Sequence, residues 1–532
     1  MQHIRKELHW GRLISCYAER PANINAMLVN SFEHNADGTA LVDGVKRIRY
    51  SELECAIHKL AAGLAAVGVK QGERVAIMLE NQWETVLAVM AVSWLGAVVV
   101  PLGTRLRKPE ISYIFQDAQP VAVIYGSAFA EELPEAGPSD SRRIECGGAL
   151  WQSMLETGHA ACASAAAVSE HDTFGILYTS GTTGKPKGAV LTHLNVVHSC
   201  LHWVEAHQLG CNERTLLCIP WSHVAGLCGV VLPFLGIGGT LILMAEFKRR
   251  DFLELAQKEQ ISHALLVPAM YGLCLLEPDL DAFDLRSWRV GVYGSAPMPE
   301  PTIERFAKAF PQLQMCNGYG ATETTSPAAM MPRGDGVVHA KSVGKAVPCG
   351  EILIMDEYGR QLPFGEEGEL WIAGPMVVPR YWNNPEADVA SFVGGYWKSG
   401  DVGTIDETGY VYIADRKKDM INRGGFKVYP AEVESVLMGI EKVIEAAVIG
   451  HPDEILGETV LAFLTVSSDA LAETDVRSYC IERMADYKVP SRVIIGKDPL
   501  PRNANGKIQK AELRETAQHF APVSRLAPGA KR

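Results

Sequence analysis

The sequence predicts an α/β protein. A large N-terminal body of parallel α/β sheets with a small β-barrel is followed by a small α+β domain. Three observations carry this. Continuous apolar runs alternate with helix-patterned segments through the first 300 or so residues, the pattern of parallel strands covered on both faces. After about Gly344 the strands become short, alternating and bounded by Gly, Asp and Asn, as in antiparallel sheet. Beyond Arg416 helix and strand mix again over roughly 100 residues, the size of one compact domain.

In chain order, "RIRYSELECAIHKLAAGLAAVGV" reads as a strand end and a helix. Ser51 is the expected N-cap, and Leu53, Ile57, Leu60 and Leu64 fall at helical spacing. "RVAIML" is a strand, a helix follows through Trp83, and a second strand lies at 97–102. Strands recur at "PVAVIY", "LLCIP", "TLILM", "HALLVP" and "RVGVYG". "GEILIMDEYGRQL", "GELWIAG" and "GYVYIADR" supply the antiparallel part. "EVESVLMGI", "VIEAAVIG", "VLAFLTV" and a helix through "DVRSYCIERMA" build the last part. The boundary is expected at 415–419, with residues 1–415 as the body and 416–532 as the smaller domain.

Composition excludes several classes. The 532 residues carry 50 Lys and Arg against 62 Asp and Glu, a net charge of −12. That chain lacks the basic field that nucleic-acid backbones require. Its 12 cysteines form no C-x-x-C pair and read as small buried hydrophobes of a reducing, cytoplasmic setting. The N-terminal stretch has charges throughout and no apolar core of a signal peptide. The apolar stretches 86–103 and 216–245 are too broken by Gly and Pro to span a membrane, and the second reads as buried helix and then buried strand.

The most informative segment is "LYTSGTTGKPKGAVLTH", residues 177–193. A short apolar run leads into Thr179, Ser180, Gly181, Thr182, Thr183, Gly184 and, further on, Lys187. Glycines let consecutive N–H groups form an anion nest, and the hydroxyls and lysine add donors suited to a polyphosphate. The Walker A frame fails, because Pro186 stands where its second glycine belongs. On these residue types alone a flexible surface turn remains an equal reading.

The full string resembles the phosphate loop of the adenylate-forming superfamily, which includes acyl- and aryl-CoA synthetases, peptide-synthetase adenylation domains and firefly luciferase. Four more segments resemble its motifs in the family's order. They are "GYGATET" (318–324), "YWKSGDVG" (396–403), "DRKKDMINRGGFKVYPAEVE" (415–434) and "PRNANGKIQK" (501–510). The resemblance covers about residues 45 to 515.

It implies a reaction in two halves. A carboxylate attacks the α-phosphate of ATP, giving acyl-AMP and pyrophosphate; the thiol of coenzyme A then takes the acyl group and releases AMP. It implies Glu323 as the Mg²⁺ ligand and Thr322 as a contact to the α-phosphate. Tyr319 would stack on adenine, within a segment that includes Asn317, Gly318 and Gly320. Gly294, Ser295, Ala296 and Pro297 would wall the adenine pocket. Asp401 would accept the ribose hydroxyls and Arg416 would approach phosphate or ribose. Lys418 would be the hinge about which the smaller domain turns, and Gly424 and Gly425 would line the thiol channel. Lys507 would bridge the attacking carboxylate and the α-phosphate. "PWSHVAGL" would place His223 beside the acid, with Val224, Met270, Tyr293, Thr324 and Thr325 lining the acyl pocket. None of these six carries a fixed charge, which favours an apolar monocarboxylic acid: fatty, alicyclic or aromatic.

The expected ligands are that acid, ATP, Mg²⁺ and coenzyme A. No nucleic acid and no membrane span are expected, and a homodimer is compatible with the sequence. Three alternatives stand beside the ligase reading. One is a stand-alone enzyme loading a carrier-protein phosphopantetheine. Another is a luciferase-like oxidation, disfavoured by Asn422 where luciferases carry lysine. The third is a non-catalytic ATP-binding protein, disfavoured by the presence of Lys507 and Glu323.

Overall fold

The computed structural model describes residues 3–135, 141–157, 165–179, 186–416, 419–424, 426–453, 455–467, 471–503 and 507–520. Two large sheets form its body. The first has six strands in the order Lys187–Thr192, Thr173–Thr179, Val98–Pro101, Arg74–Met78, Ala122–Tyr125 and Arg142–Glu145, all neighbours parallel except the first pair. The second carries a parallel run: Thr39–Asp43, Thr240–Leu243, Arg214–Leu217, His263–Leu266, Val290–Gly294 and Gln314–Tyr319.

The apolar runs are explained by burial on both faces. Val75 and Ile77 join the core shared by the two sheets, while Ala76 and Met78 of the same strand face a separate cluster with Ile111, Ile114 and Phe115. Val290 and Val292 likewise face the shared core, whereas Tyr293 packs with Tyr271, Trp288 and Met315 on the other side. The helices Tyr50–Ala66 and Trp83–Trp94 lie in the shared core. Leu53, Ile57, Leu60 and Leu64 form the buried face, as the spacing predicts. The N-cap differs from expectation. It is Arg49, in extended backbone, because the Glu52 carboxylate accepts the Arg49 N–H at 2.9 Å and closes the turn, drawing Ser51 into it.

The antiparallel strands expected as a small barrel are present at Glu351–Met355, Gly368–Ala373, Tyr396–Ile405 and Tyr410–Arg416. They are continuous with the parallel run, hydrogen-bonded to it through Gly344–Ala346 and Ala329–Met330. This continuity brings Asp401 and Arg416 to the end of Gln314–Tyr319. Residues 216–245 fold as strand, short helical turns and strand, and no helix among the described residues is long and apolar enough to cross a membrane.

A separate five-stranded sheet follows: Phe426–Val428, Ile421–Arg423, Gly457–Val466, Val443–Asp453 and Arg492–Gly496. Its strands alternate between two cores. Val448, Val460 and Ala462 face one with helix Pro430–Leu437, and Ala447, Ile449, Leu461 and Phe463 face another with Leu513 of helix Lys510–Ala517. The described cysteines are unpaired and most are buried.

Candidate active site

Strands Val290–Gly294 and Gln314–Tyr319 lie side by side and parallel, with Gly294 opposite Gly318. In open parallel sheets ligands bind outside the carboxyl ends of the strands. Here the two ends are shaved of side chains. A Cβ on Gly294 would sit 2.5 Å from the Gly318 carbonyl oxygen, and one on Gly318 would sit 2.8 Å from the Trp203 ring. The chain then turns outward at Ser295, whose φ is +66°, leaving Ser295, Ala296 and Pro297 exposed at the rim. Asn317 is buried opposite Tyr293 in the register.

Tyr319 ends its strand over this shelf. Its hydroxyl donates to Asp401 Oδ2 at 2.5 Å, and the Arg416 Nε donates to Asp401 Oδ1 at 2.6 Å. Asp401 and Arg416 are register partners on adjacent strands, so backbone pairing sets this contact. Asp401 is 4% exposed. A carboxylate has about four lone-pair sites, and these two bonds leave room for a diol. Burial pulls the Arg416 guanidinium down, but Asp401 first, then Tyr319 and Glu323, outweigh it and hold Arg416 above its ordinary value.

Beside this group, Gly320 leads into a tight turn, Thr322–Thr324, in which the Thr324 hydroxyl accepts the Ala321 N–H at 2.9 Å. The turn is pinned from behind: Ser199 Oγ donates to the Thr325 carbonyl at 2.7 Å and Trp203 Nε1 to that of Ser326 at 3.0 Å. Thr322 and Glu323 are thereby left partly exposed while Thr324 and Thr325 turn inward. Thr325 has φ +50°, and its buried hydroxyl has no hydrogen-bond partner among the described residues.

Glu323 Oε1 accepts the Tyr381 hydroxyl at 2.9 Å, and the Lys187 ammonium lies 5.2 Å from the Tyr381 ring centre, in cation–π range. Lys187, Tyr381 and Glu323 thus form a row. Tyr381 was not among the residues expected from the sequence. It is placed by an edge pairing remote in sequence, in which Ala189 bridges to Tyr381 and the Trp382 N–H donates to the Gly188 carbonyl at 2.6 Å. No periodicity signals such a contact; an aromatic pair just after "VVPR" was the one available hint.

The loop carrying His223 is clamped by Asn81, which donates to the Ile219 and Met244 carbonyls at 2.9 and 3.0 Å and accepts the Trp221 N–H at 3.0 Å. His223 caps the short helix Val224–Gly226. Its imidazole is lowered to about 4, by burial first and then by the positive charge of Lys507. The charge of Lys507, in the C-terminal part, is thus felt at His223. Lys507 is exposed, and its own N–H donates to Asn503 Oδ1 at 2.9 Å. Val224 is buried and Met270 partly buried between the two main cores. The Tyr293 side chain is fully buried in the core with Tyr271, Trp288 and Met315. Gly424 has φ +59° and donates its N–H to the Leu456 carbonyl at 2.7 Å.

Seven expected positions, Ser180, Gly181, Thr182, Thr183, Gly184, Lys418 and Gly425, lie outside the described residues. Thr179, just before the loop, is described at the end of its strand.

The donors present suit Mg²⁺. It takes hard oxygen ligands and is usually held by one or two carboxylates together with substrate phosphates. Glu323, with the neighbouring Thr322 hydroxyl, offers that chemistry. The groups of three or more potential ligands among the described residues lie elsewhere, at Glu7, His9 and Cys16 and at His9, Glu170 and His171. There Arg20 pairs with both Glu7 and Glu170.

Residues 28–382 match the family model described as AMP-binding enzyme, and residues 432–507 match that of its C-terminal domain. A long-chain-fatty-acid–CoA ligase of Mycobacterium tuberculosis is 36% identical over 483 residues, 90% of this chain and 94% of that protein. A fatty acid–[acyl-carrier-protein] ligase of Streptomyces coeruleorubidus is 32% identical over 501 residues, 91% of this chain and 94% of that one. Among solved structures, an o-succinylbenzoate coenzyme A synthetase of Bacillus subtilis, in complex with ATP and magnesium ion, superposes with a TM-score of 0.80. It is 29% identical and covers 92% of this chain and 99% of its own.

Proposed function

The chain belongs to the AMP-binding enzyme family and is an ATP-dependent acid–CoA ligase; we propose that it activates an apolar monocarboxylic acid, with coenzyme A as acceptor and Lys507 as the mobile catalytic charge. The observation that carries this reading is the meeting of Tyr319, Asp401 and Arg416 at the strand ends, with the charge of Lys507 felt at His223.

In this reading adenine lies on the Tyr319 ring over the Gly294–Gly318 shelf. The ribose diol uses the remaining lone pairs of Asp401. Lys187, Thr322 and the glycine-rich loop hold the phosphates, and Glu323 holds the metal. Bound Mg²⁺ supplies charge neutralisation to the triphosphate. A carboxylate oxygen of the acid attacks the α-phosphorus, and the bond to pyrophosphate breaks. Lys507 orients both partners and offsets charge building on the phosphate oxygens. His223 stays neutral at physiological pH, so it orients the acid by hydrogen bonding and does not repel Lys507. The small domain, beginning near 416 and hinged at Lys418, then turns as a lid. The thiol enters past Gly424 and Gly425, its sulfur bonds to the acyl carbon, and the bond to AMP breaks; the thiol proton passes to solvent. The acyl pocket is built from His223, Val224 and Met270, none bearing a fixed charge at neutral pH. The unpaired cysteines accord with a cytoplasmic setting.

The carrier-loading relative supports a second reading, in which the same adenylate passes to a carrier-protein phosphopantetheine. One experiment tests both. Fatty, alicyclic and aromatic acids are offered with ATP and Mg²⁺, and the product is read as coenzyme A thioester and as acylated carrier. Thioester with an apolar acid is the expected result. Carrier acylation alone would establish the second reading, and acid-independent silence would overturn both.

A further inference from the structure

A charged cluster joins the small domain to the body and has no part in the scheme above. Asp415, 8% exposed, lies next to the end of strand Tyr410–Arg416. Its Oδ2 accepts the N–H of Ala431, at the start of helix Pro430–Leu437, at 2.8 Å, and its Oδ1 accepts the Arg416 N–H at 2.6 Å. Glu434, one turn along that helix, accepts the Lys510 ammonium at 2.8 Å and the Val448 N–H at 2.8 Å. Lys510 opens helix Lys510–Ala517, three residues after Lys507. Its ammonium is largely buried and bonded to Glu434; the charges of Glu434 first and then Asp415 outweigh the cost of burial and hold Lys510 above its ordinary value. Nearby, the Tyr429 hydroxyl donates to Glu367 of the body.

Asp415 lies before residues 416–419 in the chain, whereas Ala431, Glu434 and Lys510 lie after them. A rotation of the lid about that stretch must separate Asp415 from the other three. The cluster therefore exists in the pose in which the charge of Lys507 is felt at His223. Asn503 accepts the Lys507 N–H. A chain of contacts from Asp415 through Ala431 and Glu434 to Lys510 links Lys507 to the body, because Lys510 lies three residues after it.

We propose that Lys510 is a positioning residue for adenylate formation: bonded to Glu434 on the helix whose start Asp415 of the body holds, it keeps Lys507 over the acyl pocket. This rests on the reading of Lys507 given above. A salt bridge that merely stabilised the lid would serve both half-reactions alike. A positioning role serves the first half alone, since the second takes place after the cluster has parted. Displacing a catalytic group by about 1 Å costs up to roughly 100-fold in rate.

The test uses the full chain, with the best acid from the panel. Adenylation is read as ATP–pyrophosphate exchange and thioester formation from supplied acyl-adenylate and coenzyme A. Lys510→Met is expected to lower kcat of exchange by about 10- to 100-fold, with KM for ATP changed less than about threefold and the thioester rate within about twofold. Lys510→Arg keeps the charge and is expected to restore exchange to within a few-fold. Equal slowing of both halves, an unchanged exchange rate, or failure of the arginine variant to restore it would each overturn the proposal. Should Lys510→Met not fold, Asp415→Asn decides, since it leaves the Lys510–Glu434 pair in place; the same split supports the proposal and its absence overturns it. Lys507→Ala runs alongside. If that variant retains exchange, the reading of Lys507 falls and the proposal with it. If it loses exchange while Lys510→Met does not, the proposal alone falls.

Discussion

On the body side of the cleft, Tyr319, Asp401 and Arg416 are joined by contacts of 2.5 and 2.6 Å between strands of one continuous sheet, and Asp401 is almost fully buried. On the lid side, Lys507 is exposed, and its place in the cleft depends on where a separate five-stranded sheet stands. The groups of the body are fixed by backbone register; in the proposed function, the acting charge is carried on a part that can leave. In the reading advanced here, that division suits a reaction whose two halves need the same nucleotide site but different groups at the acyl carbon. AMP stays bound throughout, so its site is best rigid. The ammonium that assists attack on phosphorus would obstruct the thiol, so it is best removable.

Two substitutions would break the comparison most sharply if it is wrong. Lys507→Ala is expected to lower adenylation by about 100- to 1000-fold, the scale for losing one preorganised electrostatic group. Thioester formation from supplied acyl-adenylate should stay within about twofold of the parent. Asp401→Asn should behave in the opposite way. It weakens the Arg416 pairing and removes a diol acceptor, so both halves lose, with kcat/KM for the nucleotide or adenylate down about 10- to 100-fold, chiefly through KM. If Asp401→Asn spared one half, or Lys507→Ala harmed both equally, the two walls would not differ as described.

A smaller effect sharpens the comparison within the body. Tyr381→Phe removes the hydroxyl donated to Glu323 while keeping the ring that faces Lys187. One neutral-to-charged hydrogen bond of this kind is worth about 1.5 kcal/mol or less here, because the groups are partly exposed. The expected outcome is a three- to tenfold rise in the Mg²⁺ concentration giving half-maximal exchange, with little change in KM for the acid. A change confined to the acid would detach Tyr381 from the metal side of the cleft.

Short contiguous segments were legible in the sequence. The turn bearing Glu323 and the strand bearing Asp401 each form within a few neighbouring positions, and alternation of strand and helix patterns anticipated the parallel sheets. Contacts made across the fold were not legible. Tyr381 reaches Glu323 because strand Lys187–Thr192 pairs at its edge with residues near 381, some 190 positions away. Asp415 read as part of a motif, but its bond to Ala431 and its nearness to Lys510 depend on how two sheets are set against each other. The barrel expectation missed the continuity of the large sheet for the same reason: period-two patterning shows which face of a strand is buried, but not which strand lies beside it. The cap at Arg49 in place of Ser51 arose from one side chain, Glu52, reaching back to the backbone.

The smallest effect concerns pH, and it separates body from lid. Helix His193–His207 of the body carries four buried histidines. Burial lowers His193 and His198 to about 4 and His202 and His207 to about 3. In the unfolded chain each would titrate near 6.5, so between that value and the folded one the unfolded state binds more protons. Their contribution is therefore intact above about pH 6.5 and is lost as the pH falls below it. The carboxylates of the lid junction work in the other direction: burial raises Asp415 and Glu434, so proton uptake there favours the folded form. Acid should thus loosen the body before the junction. Between pH 7 and pH 6 each histidine is expected to cost about 0.7 kcal/mol. His202→Phe, which keeps an aromatic ring but cannot titrate, should reduce the pH dependence of the urea-unfolding free energy by that share while leaving the others. An unchanged slope in the variant would show that His202 takes up its proton without unfolding, and limited proteolysis at pH 5 that opened the lid before the body would reverse the order argued here.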